Sequence, residues 1–599
     1  MSPQWNPSLR PLLLLLPLGG LYLLSLSRMV ILQAFPKEVK AKQALQRVTD
    51  EKILSVPCGR IMDRKGRVLA GNRQRWRLIM DQPAKHRSYL KKVRTPQQVE
   101  ADLRPLASLA GLSLSELRSH VFASATYSVI QRGLSPGAAH RLQGALRFVP
   151  GTGLRLESYW ERVYPQGRAL AQLVGFRSET REGRNVAIGL EEMCQLRLQG
   201  QQGRKTSLLV GRSHGINPGL DFELPVPGED VRTTLDADLA VLIRQRLQQA
   251  MAEHQPEWVT AVVIDARDGD LLAALALPDY DPNPGRELQT NQDGNPIGLA
   301  LPAFWPVEPG STFKPFILAG ALEQNAVRHG DRFHNHGGVW NIRRPAITDV
   351  AGVPTRPLEL EEILIHSSNI CMGQVALEME AEGLKQVLSQ FAFWEPLGFA
   401  PWDERSSREG GYRQPGTRPD ERRWKQTRWT LPSLAMGYQL SLTPVRLAYA
   451  YAALVRGGQM PQPRLFPEQS PVRQQVLQPD IADFIKEALA GVVELPVRRW
   501  LPRDQQLRWG GKSGTVRILD RQGQLLGRRS LFAAFGPVED PEVVVVVVVE
   551  KPTSGAYLGS RVAGPIAGDV LRGALVLQGV LPPEASGDPL LASMHPGGR

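Results

Sequence analysis

Cysteine is scarce. Cys58, Cys194 and Cys371 are the only three in 599 residues, and their wide spacing fits neither a disulfide framework nor a thiolate metal site. No cofactor and no metal are expected. Zinc-finger spacing, aromatic RNA-binding signatures and sustained basic helices are also missing, so the formal charge of +13 does not point to nucleic acid. It fits a solvated basic surface, or attraction to lipid headgroups or an anionic cell-wall precursor. No internal repeat is evident. With 42% apolar and 22% charged residues the chain is not compositionally disordered, and its length implies at least two globular parts.

The N-terminus carries the one membrane-like segment. Pro11 to Ser27 has no charge, Arg28 follows, and the apolar run continues to Phe35. That is about 25 residues, or roughly 37 Å as a helix, enough for a ~30 Å hydrocarbon core with Arg28 snorkelling. No A-x-A-like cleavage site follows, so a retained anchor is expected over residues 11–35, behind a cytoplasmic tail of residues 1–10. Arg10 before the span and Lys37, Lys40 and Lys42 after it leave the positive-inside rule undecided.

Beyond the anchor, residues 36–55 read as a polar helical stalk. Gly59 to Leu69 reads as a hairpin turning at Asp63-Arg64-Lys65-Gly66. Residues 96–145 have helical periodicity, and residues 154–176 read as strands around Tyr164-Pro165-Gln166-Gly167. The Pro/Gly-rich stretch from Asn217 to Gly228 marks a boundary, giving a pedestal over 36–228 and a second domain over 229–579. That domain opens with a helix capped by Thr234 or Asp236, then a hairpin of Val259–Asp265 and Leu271–Leu277. Val543 to Val549 is a valine run expected as a strand buried on both faces. Residues 580–599 read as a flexible tail. Residues 403–428 hold eight Lys/Arg and five Asp/Glu, as a solvated loop or a contact site for an anionic glycan or partner.

Three short elements carry chemistry. In Ser311-Thr312-Phe313-Lys314 the residues three apart share a helix face, so the amine can reach the hydroxyl. Pro309-Gly310 places Ser311 at a helix start, where the dipole favours an alkoxide or oxyanion. A serine needs a base, and lysine serves only when neutral. Alone, S-x-x-K is weak, with about two expected by chance in such a chain. Ser367-Ser368-Asn369 offers a hydroxyl shuttle and a carbonyl-binding amide, though alone it reads as an ordinary cap. In Lys512-Ser513-Gly514-Thr515 the lysine could keep Lys314 deprotonated. The hydroxyls could bind a carboxylate, and Gly514 could let a peptide lie along the strand. Alone, this too is an ordinary glycine-rich hairpin. In this order the three form the signature of penicillin-binding proteins and β-lactamases. Lys314 is expected to be neutral and Lys512 protonated.

With these elements in place the chain resembles the class B penicillin-binding proteins, over most of its length. EPGSTFKPF, HSSN and GKSGT resemble the three transpeptidase motifs. GRIMDRKGRVLA, RVYPQGRALAQLVGF and GLEE resemble blocks of the non-catalytic domain, TTLDADLA and AVVIDARDGDLLAALALPDYDPN the opening of the catalytic one, and LSRMVILQ the end of the anchor. The resemblance implies an α+β fold: an antiparallel sheet packed by helices, an all-helical subdomain and an elongated β-rich pedestal. It implies a serine-type D,D-transpeptidase of the D-Ala-D-Ala carboxypeptidase class. Ser311 would attack the stem peptide, Lys314 would be the base, Ser367 and Asn369 would relay protons and hold substrate, and Lys512, Ser513 and Thr515 would anchor the carboxylate beside Gly514. Backbone N–H groups of Ser311 and Thr515 would form the oxyanion hole.

The implied partners are peptidoglycan stem peptides, a lipid-linked precursor, β-lactams as covalent inhibitors, a SEDS-family glycosyltransferase and divisome membrane proteins. The implied place is the cytoplasmic membrane, single-pass, with the catalytic domain outside. Three departures stand out. Cys58 stands where the family has Arg, which would remove a pedestal salt bridge, Gly437-Tyr438-Gln439 replaces a glycine-rich turn, and Ser513 replaces a common threonine.

A class A enzyme would need a glycosyltransferase domain, for which residues 36–228 hold no Glu-rich motif. A β-lactamase or β-lactam sensor would not need such a pedestal, and a non-enzymatic scaffold would tolerate loss of Ser311 or Lys314. The compact pedestal, the spacing after GLEE and the ending AYLGSRVAGPIAGDVLRGAL favour a division, FtsI-like role at the septum. KSGT leans to the alternative, side-wall elongation and cell shape.

Overall fold

The computed structural model describes residues 20–30, 49–81, 95–122, 127–148, 153–179, 185–210, 213–215, 222–283, 301–342, 344–399, 402, 416–502, 506–520 and 522–582. Two compact units emerge, one of residues 1–57 with 200–228 and one of 58–199 with 229–599. The first holds an exposed helix over residues 20–30 and an antiparallel sheet. In that sheet Thr49–Leu54 and Phe222–Glu223 flank Gly203–Val210. Residues 49–54 are thus strand, where a helical stalk was expected; β-branched Thr49 and Ile53 pair with Leu208 and Arg204. The rest of that stalk, the tail 1–10, residues 11–19 and 31–35 of the expected anchor, and residues 403–415 lie outside the described residues. Among the described residues no helix is long and apolar enough to cross a membrane.

The second unit begins with the expected hairpin, β1 (Ile61–Met62) and β2 (Val68–Asp81). Asp63 holds its turn: fully buried, it accepts from Lys65 N at 2.9 Å and Arg67 N at 2.8 Å. The expected helical stretch divides into α1 (Pro96–Ala110), α2 (Leu114–Phe122) and α3 (Pro136–Leu146), interrupted by strand β3 (Tyr127–Leu134). In β3, Val129 pairs with Ile79 of β2, a long-range contact that local periodicity does not report. β4 (Leu154–Val163) runs antiparallel to β2 from Leu154↔Met80 to Val163↔Gly71. Strand character then stops. Gly167 takes φ 53°, and Ala169 to Val174 form helical turns with every residue buried, an arrangement without the alternation of a strand.

Glu191 is fully buried near that turn. Arg162 Nε donates to it at 2.6 Å, Arg177 Nε lies 3.7 Å from its second oxygen, and Tyr164 Oη donates at 3.2 Å. Arg177 also donates to Cys58 Sγ at 3.4 Å. Glu191 is thus paired by Arg162 and Arg177, although position 58 is a cysteine.

β5 (Val231–Arg232) pairs in parallel with β1 and leads to α4 (Ala237–His254), capped by Asp236, which accepts from Asp238 N at 3.0 Å. β6 (Trp258–Asp265) and β7 (Leu271–Leu277) form the expected hairpin. The helices that position the site are α5 (Lys314–Glu323), α6 (Leu360–His366), α7 (Asn369–Glu378) and α8 (Pro479–Glu494). The chain then completes one antiparallel sheet with β8 (Gly510–Leu519), β9 (Leu525–Gly536) and β10 (Val543–Glu550), in the order β7-β6-β10-β9-β8. β10 is the middle strand, which is why its valines are buried on both faces. α9 (Gly559–Leu577) lies against β9 and β10. Leu581 packs on the core behind it, so the expected tail is docked at least that far; residues 583–599 lie outside the described residues.

Candidate active site

Three chain segments meet at the exposed edge of the β6–β10 sheet. The first enters as Glu308-Pro309-Gly310, with Gly310 at φ 55°, makes a tight turn over Gly310–Phe313 and continues as α5. Thr312 Oγ1 donates to Pro309 O at 2.7 Å and fixes the turn that presents Ser311. The Gly437 turn supports it from behind. Gly310 N donates to Gly437 O at 3.2 Å, and a Cβ on Gly437 would stand 2.1 Å from Gly310 O. Gln439 N donates to Glu308 Oε1 at 3.1 Å, while burial pushes the Glu308 carboxyl up. The Gly437-Tyr438-Gln439 departure noted in the sequence is thus a working brace for this loop.

The second segment is the α6–α7 junction. Ser367 ends α6 at φ 61°, a left-handed conformation rare for a serine and one that occurs where a site over-determines the backbone. Asp349 organises the junction. Its carboxylate accepts from Ser368 Oγ at 2.7 Å, from Ile370 N at 3.1 Å and from Asn369 N. Ser368 Oγ in turn accepts from Cys371 N at 3.1 Å and caps α7. Sequence reasoning missed Asp349. It follows the two-residue strand Ile347–Thr348, where an aspartate reads as any turn residue.

The third segment is β8, the edge strand, which carries Lys512 to Thr515. A Cβ on Gly514 would stand 2.7 Å from Pro309 O, so glycine is what lets β8 lie against the Ser311 loop. Ser513 is half-buried, in register with Phe532. Thr515 Oγ1 accepts from Gly559 N at 2.9 Å, at the start of α9.

Both lysines are fully buried. Lys314 Nζ donates to Ser367 O at 2.6 Å and Asn369 Oδ1 at 2.8 Å, with Ser367 Oγ at 3.4 Å. Lys512 Nζ donates to the same Ser367 Oγ at 2.8 Å and to Ser513 O at 3.2 Å. Ser367 therefore bridges the two amines. Ser311, one helical turn before Lys314, is not among the hydrogen-bond partners of either.

Burial pushes Lys314 down to about 7, against the opposing pull of Asp349 and Cys371. Burial, Lys314 and Arg498 together push Lys512 well below its ordinary value. A neutral Lys314 beside a charged Lys512 was expected. The surroundings instead disfavour both ammoniums, since each amine is desolvated and each repels the other. Among the described residues no group of three His, Cys, Asp or Glu could hold a metal ion.

The site can thus move a proton between the Ser367 hydroxyl and two buried amines, beside the last strand of the sheet. The comparisons agree with that chemistry. Residues 259–572 match the penicillin binding protein transpeptidase domain, and residues 54–233 the penicillin-binding protein dimerisation domain. The chain is 28% identical over 576 residues to a probable peptidoglycan D,D-transpeptidase, PbpC, of Pseudomonas aeruginosa, covering 94% of each chain. It is 27% identical over 587 residues to PenA of Neisseria gonorrhoeae, covering 95% of this chain and 92% of that one. With the peptidoglycan D,D-transpeptidase FtsI of Escherichia coli it shares 25% over 574 residues, covering 93% and 90%. The crystal structure of penicillin binding protein 2X from Streptococcus thermophilus superposes with a TM-score of 0.70 at 19% identity, covering 90% of this chain and 82% of that one, a likeness of fold.

Proposed function

This chain belongs to the class B penicillin-binding proteins, serine-type peptidoglycan D,D-transpeptidases, and on that premise we propose which residues do the chemistry and where. Ser311 attacks the penultimate D-Ala carbonyl of a stem peptide, its proton passes to the Lys314 side, and terminal D-Ala leaves. An amine from a neighbouring stem resolves the acyl-enzyme. Ser367 relays the proton between Lys314 and Lys512, and Asn369 holds substrate. Lys512, Ser513 and Thr515 receive the terminal carboxylate, Gly514 admits the peptide to the edge of β8, and the Ser311 and Thr515 N–H groups stabilise the oxyanion. The single observation that carries this reading is the hydroxyl of Ser367 shared by two buried amines, one turn from Ser311. A fluorescent penicillin tests it. Intact-mass analysis should find the adduct on the wild type and none on Ser311→Ala; an adduct on that variant overturns the assignment.

The domain division proposed is an anchor over 11–35, a pedestal over 36–228 and the transpeptidase over 229–579, with the catalytic part outside the cytoplasmic membrane. A reporter active only in the cytoplasm, fused after Arg599, should be silent, and activity there overturns this topology. We further assign the enzyme to the division septum, with a SEDS-family glycosyltransferase and divisome membrane proteins as partners. The support is the motif-level likeness to the FtsI-like group in the GLEE block and in the ending AYLGSRVAGPIAG. Ser513 in place of threonine favours the second reading, side-wall elongation. A fluorescent fusion decides between them: septal rings support division, and an even side-wall signal supports elongation.

A further inference from the structure

The lysines are not the only buried cations near the site. Arg498 ends the short turn Pro496–Arg498 between α8 and β8 and is 9% exposed. Its Nη1 donates to Val492 O at 2.6 Å and its Nη2 to Ile365 O at 2.7 Å. No carboxylate pairs with it among the described residues, and burial pulls it down to about 10. Val492 and Ile365 lie in the last turns of α8 and α6, whose carbonyls carry the negative ends of the helix dipoles. Those carbonyls hold the guanidinium in place. They do not give it a counter-ion, and a buried cation without one lowers stability where an apolar side chain of similar volume would not.

What the guanidinium touches explains its presence. Ile365 is two residues before Ser367, so Arg498 tethers the turn whose end is held at φ 61° with Oγ between the lysines. Its charge also acts on Lys512, in the same direction as burial and Lys314. The groups facing the pair are Asp349 and Cys371 on the Lys314 side and Arg498 on the Lys512 side. His366, beside Ser367, is pushed down mainly by its own burial.

We propose that Arg498 is a positioning residue for transpeptidation: through Ile365 it fixes the turn that presents Ser367 between the two lysines, and its positive charge opposes a second proton on that pair. The proposal rests on the reading of Ser311, Lys314 and Lys512 given above. Arginine suits the role because its guanidinium, even pulled down to about 10, stays charged through the neutral range.

Arg498→Gln and Arg498→Met both remove the charge, and only glutamine keeps a donor for Ile365 O. Removing a neighbouring cation raises the pKa of the pair, so less neutral amine is present near neutral pH. In the full chain, penicillin acylation measured from pH 6 to 10 should show its midpoint moved up by about one unit in both variants, with about a fivefold slower rate at pH 7. The rate should recover toward the wild type at high pH, more completely for glutamine. A merely structural role would lower the rate at every pH and leave the midpoint in place. An unmoved midpoint in whichever variant folds overturns the proposal, as does failure of both to fold. Ser311→Ala, run alongside, separates the two claims. If it stays unlabelled, an unmoved midpoint removes the role of Arg498 alone; if it is labelled, the reading of the site itself falls.

Discussion

Around Glu191 the protein buries one carboxylate between two guanidiniums, Arg162 at 2.6 Å and Arg177 at 3.7 Å. Around Ser367 it buries two lysines and an arginine, with Asp349 as the facing carboxylate. Both clusters lie in the same compact unit. In the first, a buried carboxylate is supplied to the guanidiniums, and the cluster ties Gly59, Asn72 and Tyr164 to one point through Arg162 and Glu191. In the second, like charges crowd together, and the protein answers by shedding protons. An ion pair that fixes structure and the amine proposed as base thus use the same burial. They differ in whether a counter-ion is supplied.

The comparison fails most visibly if Lys314→Arg still reacts. A guanidinium cannot act as a base, so acylation by a fluorescent penicillin should fall ~10²–10⁴-fold between pH 6 and 10. Lys512→Arg should keep more activity. If Lys314→Arg acylated faster than Lys512→Arg across that range, the two roles would be reversed.

Next in size is the cost of unbalancing the other cluster. Glu191→Gln should lower unfolding free energy by about 3–5 kcal/mol, because it leaves two buried guanidiniums without their anion. Denaturant titration would check this, and the rate of acylation per folded molecule should be unchanged. A variant as stable as the wild type would mean that the Glu191 cluster does not hold the fold.

A smaller effect of opposite sign is expected at Lys512. Lys512→Met removes a repelled, desolvated amine and should raise stability by about 0.5–2 kcal/mol while acylation collapses. A loss of stability would show that the lysine cluster is also a structural one.

The finest test is pH. Lys314 falls from its ordinary 10.5 to about 7 in the fold. Between those values the unfolded chain binds a proton that the folded chain does not, so stability should rise as pH goes from 7 to 10.5. The benefit is complete above the unfolded pKa and lost as pH drops through the folded one. Lys314→Met should flatten that rise; an unchanged slope would mean that Lys314 is not desolvated in the fold.

Much of this was legible in the chain itself. The β1–β2 turn at Asp63-Arg64-Lys65-Gly66, the β6–β7 hairpin and the valine strand β10 follow from turn chemistry and patterning over a few residues. The spacing of Ser311 and Lys314 is equally local, but Ser311 sits in the tight turn before α5 and the Lys314 amine bonds Ser367 and Asn369. Motif order then brought Ser367, Asn369 and Lys512 to the same site. Expectations failed where a contact with distant chain outweighed local pattern. Thr49–Leu54 became strand by pairing with Gly203–Leu208, and Tyr127–Leu134 by pairing with β2.

By itself the sequence determined the candidate reactive groups, their order and the elements that carry most of them, because identity and short-range spacing are written along the chain. The protonation balance of those groups was left to the tertiary structure. Burial, the closeness of the two lysines, the carboxylate of Asp349 and the guanidinium of Arg498 set it, and these groups come from separate segments. A pKa depends on the dielectric and charges around an atom in space, and no local sequence pattern encodes those distances.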